Sequence, residues 1–224
     1  MSENPYQTPQ HNPSTPAPIT SENRYGPVRN LSALASFCKV MLGINIILVV
    51  AGLLVVYSSA YDQFVADALI GVLDEEGFYQ QLLLLGIAEI VTFVLTVIAV
   101  CMWSYRAMAN TWGIGKIRPT ITAGWAAGWY FIPIAWFWKP YEAMSEIWSG
   151  VHGYSKSRAL LLLWWLPWII SKILDRVSMK LELEQIEATR QVDTASVILS
   201  TIAALCLIKI ITSVTEYQNS KAVR

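Results

Sequence analysis

Two ionisable residues interrupt long apolar runs, and they are the side chains best placed to do chemistry: Glu89 and Lys209. A charge inside a membrane span costs about 2.5 to 3.5 kcal/mol on insertion scales, so each is a candidate for function. Glu89 falls seven residues into its run, about 10 Å deep, and Lys209 five residues from the end of its own, about 8 Å deep. At one level of a bundle they could form a structural latch or a step in a proton or ion path. At opposite faces Lys209 would snorkel to water, leaving Glu89 either as a capped structural carboxyl or as a functional one. Asn45, in the first apolar run, could hydrogen-bond across helices in a packing role. The remaining reactive types are sparse. Cys38, Cys101 and Cys206 are far apart with no CxxC spacing, and His11 and His152 are the only histidines. No metal cluster, nucleophile and base pair or phosphate loop emerges, so the sequence implies no cofactor, no metal site and no enzyme.

Those residues must be positioned by elements suited to a bilayer. Of 224 residues, 54% are hydrophobic and 14% charged, against about 25% charged in an ordinary soluble domain. Formal net charge is zero, and no dense basic patch suggests nucleic acid as a partner. The apolar residues are blocked. Val40 to Tyr57, Leu82 to Trp103 and Ala195 to Val214 are long enough as helices to cross a hydrocarbon core of about 30 Å. Thr122 to Trp138 and Ala159 to Leu174 are marginal, and Lys172 in the second suggests that its end reaches an interface. Residues 1–30 hold six of the ten prolines and read as a disordered tail without the order of a secretory signal. Residues 31–215 read as the transmembrane domain and 216–224 as a short C-terminal tail.

Basic residues orient the chain. Ser58 to Gln81 contains five acids and no Lys or Arg, whereas Arg106, Lys116 and Arg118 follow the second run. That loop belongs outside, with the N-terminus cytoplasmic. If Thr122 to Trp138 dips in and returns, the cytoplasmic side holds eleven basic residues against three; if it crosses, nine against five. The expectation is therefore an all-α polytopic protein of the cytoplasmic membrane, with four transmembrane helices plus a re-entrant or interfacial aromatic helix, and five spans as the alternative. In the loop, Val65, Leu69 and Val72 suggest a surface helix, and Asp74-Glu75-Glu76 a solvated run. Lys180 with Glu184, and Glu187 with Arg190, suggest a charged helical extension.

Eight of the ten tryptophans lie between Trp125 and Trp168, as in a shallow, interface-anchored segment. Gly124 and Gly128 offer a small-xxx-small face for close helix approach, and Pro133 predicts a bend near Phe131 to Pro133. Lys139-Pro140 would mark return to water. This segment is a packing element or, where its backbone bends, the border of a pathway. Its residues carry a resemblance: Trp103, Tyr105 and Arg106; the Gly124 to Ile134 core with Trp125, Gly128, Trp129 and Pro133; Trp138, Lys139, Pro140 and Tyr141; Glu146-Ile147-Trp148; and Trp164, Trp165, Trp168, Ile173 and Arg176. The chain resembles, over roughly residues 34–215, bacterial membrane proteins grouped as domain of unknown function 4328. Where those proteins usually carry Asn in Pro-x-x-Asn-x-Trp, this chain has Trp136. The resemblance implies a helical membrane domain and brings no activity with it. Function is thus expected to be a structural or interaction role in the membrane, with the bilayer and a membrane-protein partner or second copy as company. The alternative is a transporter or channel for a small solute, ion or proton.

Overall fold

The computed structural model describes residues 25–72, 77–154, 156–181 and 185–222. The tail through residue 24, the Asp74-Glu75-Glu76 run and Glu184, with its expected pairing to Lys180, lie outside the described residues. Within them every element is helical: α1 (Ser32–Val56), α2 (Ser59–Leu69), α3 (Phe78–Ile114), α4 (Ala123–Gly128), α5 (Lys139–His152), α6 (Ala159–Ser178) and α7 (Ile186–Asn219), with 3-10 turns at Trp129–Phe131 and Ala135–Phe137.

Local chemistry sets the boundaries. The Ser58 hydroxyl accepts the Tyr61 N–H at 3.3 Å and starts α2; Thr122 does the same for α4 through Trp125. Both are N-caps that satisfy a first-turn donor. α3 ends at Gly115, whose φ of 67° suits a residue without Cβ.

Three helices, α1, α3 and α7, are long and apolar enough to cross a membrane among the described residues. Only 6%, 17% and 28% of their apolar windows are buried within the protein. Ile47, Leu54, Leu84 and Ile90 are each about two-thirds exposed. An apolar surface of that extent would aggregate in water and is at home in lipid. α7 continues to Asn219, past the end at Val214 read from hydropathy, and Gln218 is fully buried.

Contacts at the helix ends fix relative directions. The Leu31 N–H donates to Asn219 Oδ1 at 2.8 Å, and at the other end the Tyr57 and Thr194 hydroxyls lie 2.9 Å apart, so α1 and α7 are antiparallel. Trp103 Nε1 donates to Thr215 Oγ1 at 3.1 Å and, further along both helices, Asn110 Nδ2 donates to Gln218 Oε1, so α3 is parallel to α7. α6 runs antiparallel to α7 along its length, with Ser196 Oγ donating to the Ser171 carbonyl at 3.2 Å. We call the end at Leu31 and Asn219 the base. The core, with Trp103, Met108, Ile147, Leu161, Ile210 and Ile211, lies toward that end.

Thr122 to Trp138 does not form one helix. It breaks into the six-residue α4, two 3-10 turns and a bend and turn across Ile132 to Ile134, because Pro133 cannot donate to a helical ladder. The bend expected at Phe131 to Pro133 is present. Lys139-Pro140 opens α5, with Pro140 in its first turn, and α5 carries the chain back to the base.

Candidate functional site

An open cleft of about 450 Å³ lies in the half of the bundle away from the base. α1 contributes Asn45 and Gly52, α3 Gly86, Glu89 and Phe93, α6 Lys172 and Asp175, and α7 Asp193, Ser196 and Ser200. α3 packs along α1 and α6 along α7, while α3 and α6 scarcely touch, so they form two walls over a floor of α1 and α7.

Glu89 is seated against Gly52: a Cβ there would lie 2.7 Å from its Oε1. Gly52 therefore provides the space that the carboxylate occupies. Lys172 Nζ pairs with Asp175 Oδ2 at 2.6 Å and reaches across the gap to lie 5.7 Å from the centre of the Phe93 ring. Asp175 also accepts from the Ser196 hydroxyl. Glu89, by contrast, makes no hydrogen bond or ion pair among the described residues. Three acids against one lysine, itself paired, give the cleft a negative bias.

Toward the base the cleft narrows into an aromatic chamber of about 110 Å³, lined in part by Tyr130, Trp164, Trp165 and Trp168 and sharing Asn45, Phe93, Lys172 and Ser200 with the space above. Trp165 and Trp168 stack at 5.0 Å, and Trp165 Nε1 donates to the Phe137 carbonyl at 3.0 Å, tying α6 to the broken segment. At the opposite rim Arg190 pairs with Asp62 and, at 3.0 Å, with Glu187, and its Nε donates to the Val56 carbonyl at 3.0 Å. The Glu187 and Arg190 pairing read from spacing is present. Burial, then the negative charge of Asp193, pushes the nearby Tyr61 phenol above its ordinary range.

Glu89 and Lys209 do not meet. Lys209 is exposed on α7, nine residues past the cleft residue Ser200, about 14 Å further along the helix. The basic residue that shares the cleft with Glu89 is Lys172 of α6, paired with Asp175. Asn45 lines both cavities.

The close approach expected at Gly124 and Gly128 is not found. A Cβ at Gly124 would meet nothing within 4 Å, and at Gly128 only the Trp125 ring of the same helix. α4 is too short to present a stripe, and it buries Ala123 and Ala126. Trp125 and Trp129 stack at 4.4 Å, Trp125 and Trp138 stay half exposed, and Pro140 is buried while Tyr141 packs on the core. The tight contact lies elsewhere: a Cβ at Gly150 of α5 would collide with the Thr111 side chain of α3.

Two polar constellations escaped the sequence reading. Asn110 Nδ2 donates to the Arg29 carbonyl at 2.8 Å and to Gln218 Oε1 at 3.1 Å, while its Oδ1 accepts the Arg29 N–H at 3.0 Å. Gln218 Nε2 in turn donates to the Ala107 carbonyl at 3.0 Å and to Thr111 Oγ1 at 3.2 Å. Glu146 accepts from the N–H groups of Thr120 and Ile121 and from the Thr120 hydroxyl, pinning the loop after α3. Isolated amides in a polar stretch carry no periodic signal; only the apolar spacing around Gln218 hinted that α7 continued.

A family model described as Domain of unknown function (DUF4328) matches residues 76–219. The chain belongs to that family. No curated protein and no solved structure matches it.

Proposed function

We propose, from membership of that family and the geometry of the cleft, that this is a four-crossing protein of the cytoplasmic membrane with an interaction role, binding a ligand or partner through the Glu89 cleft. Both termini then face the cytoplasm. The course of residues 122–152 carries this reading. The segment leaves the base where the Ala123 N–H donates to the Tyr25 hydroxyl at 3.1 Å, and returns where Lys116 Nζ donates to the Val151 carbonyl at 2.7 Å. A segment that starts and ends at one end of a bundle re-enters, which leaves α1, α3, α6 and α7 to cross. α6 serves as a crossing although Lys172 and Asp175 interrupt its apolar run, because the two pair and line the cleft.

Charge supports the orientation. Arg29, Lys116, Arg118, Lys156, Arg158 and Lys221 lie at the base, against Arg176, Lys180 and Arg190 at the other end. The positive-inside rule favours the base as the cytoplasmic end. Below the aromatic chamber the bundle is filled by Trp103, Ile147 and Ile211, each fully buried. A cleft blocked on one side suits binding more than conduction.

In a variant lacking Cys38, Cys101 and Cys206, a cysteine at Ser157 should resist a membrane-impermeant thiol reagent until cells are permeabilised. One at Ala66 should react in intact cells. Labelling of Ser157→Cys from outside would overturn the four-crossing reading. The second reading, transport of a small solute or proton, draws on Glu89 alone. It requires that the protein in proteoliposomes conduct above the level of empty vesicles and that Glu89→Gln abolish the flux, whereas the binding reading expects no flux from either.

A further inference from the structure

We propose that the Glu89 cleft receives the ammonium head of an amphiphile whose apolar chain starts in the aromatic chamber beneath it and continues into the bilayer. This rests on the binding reading above and names the chemistry of its ligand.

Glu89 is an acid in an apolar helix with no hydrogen-bonding partner among the described residues, an arrangement that a bound cation would relieve. Lys172 supplies only part of that relief: its charge acts on Glu89 across the cleft, but its ammonium is held by Asp175 and the Phe93 face and makes no ion pair with Glu89. Asn45 and Ser200 line the same cleft, and an amide oxygen and a hydroxyl are acceptors suited to an N–H donor. A bare metal ion fits poorly: among the described residues no three acids, histidines or cysteines gather to hold one. Acids spread along a cleft of about 450 Å³ match an organic cation better.

The chamber contiguous with the Glu89 site is walled by Trp164, Trp165, Trp168 and Tyr130. Aromatic faces attract cations and cover alkyl chains alike. Lys172 over Phe93 shows the same attraction within the chain.

The mouth lies between α3 and α6, at the stretch of α3 where Ile90 is 65% exposed and Phe93 40%. An opening edged by exposed apolar residues admits the chain of the ligand from the bilayer, while the outer end of the cleft, at Asp193, is open to water for its head. A freely water-soluble amine would lack the tail that the chamber accommodates.

The test uses the purified full chain in phosphatidylcholine nanodiscs, titrated with dodecylamine and read by tryptophan fluorescence. We expect a saturable change, with dodecanoate and butylammonium each at least about ten-fold weaker. Glu89→Gln should weaken dodecylamine by about ten-fold while leaving dodecanoate unchanged. Gly52→Ala, which crowds the carboxylate without removing it, should weaken it in the same direction. Equal affinity for dodecylamine and dodecanoate, or equal dodecylamine affinity in wild type and Glu89→Gln, would overturn the proposal. Phosphatidylethanolamine in the nanodiscs distinguishes two sources of the ammonium: competition identifies a lipid headgroup and no competition a free amphiphile, each supporting the proposal when Glu89 dependence holds. If Ser157→Cys labels as expected and Glu89 dependence is absent, the ammonium proposal alone falls; outside labelling of Ser157→Cys removes the reading beneath it.

Discussion

Asn110 and His152 show how single polar side chains hold the base together. Asn110 is almost fully buried and satisfies both backbone groups of Arg29 as well as Gln218. Asn110→Ala would strand those partners, at about 1 to 3 kcal/mol for a buried unsatisfied group. A clear fall in the thermal midpoint of the solubilised protein is expected. His152 contacts the Ser213 hydroxyl at 3.0 Å and the Trp148 ring at 4.0 Å. Burial, then the positive charges of Lys156 and Lys116, holds its imidazole below the ordinary range. The unfolded chain therefore takes up this proton first. Stability from the neutral ring is present in full above about pH 6.5 and is lost as pH falls through the lower folded value. Between about pH 7 and about pH 5 the midpoint should drop, and His152→Gln should remove a measurable part of that drop.

At the scale of elements, the sequence was informative where one residue type dominates a long stretch. α1, α3 and α7 were legible because a bilayer rewards uninterrupted apolar length, and the break at Pro133 because proline removes a backbone donor. The glycine pattern misled for a physical reason: spacing records which residues could approach closely, while helix length and partner decide which do. Gly124 and Gly150 separate the two. Gly150→Ala forces a methyl into Thr111, whose hydroxyl donates to the Ala107 carbonyl and accepts from Gln218. It should cost about 1 to 3 kcal/mol by overpacking. Gly124→Ala adds a methyl to open space and should change stability by no more than about 0.5 kcal/mol. Equal effects in a denaturation series would mean that the approach of α5 to α3 is not a tight contact. The cleft itself was half legible. Glu89 stood out as an acid in an apolar run, but its seat on Gly52 and its neighbour Lys172 come from helices distant in sequence, and no local pattern reports the level at which two helices meet.

For the whole molecule the consequence is directional access. α3 and α6 stand apart over the outer half and are bridged by α4, α5 and the aromatic turns over the basal half, so a probe should reach the cleft floor from one side only. Ser200 lies on that floor, shared by the cleft and the chamber. In the cysteine-free background, Ser200→Cys should react with a small cationic methanethiosulfonate added outside and resist the same reagent supplied from the cytoplasmic face. The three acids should also make the cationic reagent react faster than an anionic one of equal size. Adding Glu89→Gln should reduce that preference without closing the site to either reagent, since the substitution removes charge and leaves volume nearly unchanged. Reaction from both faces at similar rates would point to a continuous path and favour transport. A preference independent of Glu89 would assign the field to Asp175 and Asp193 instead.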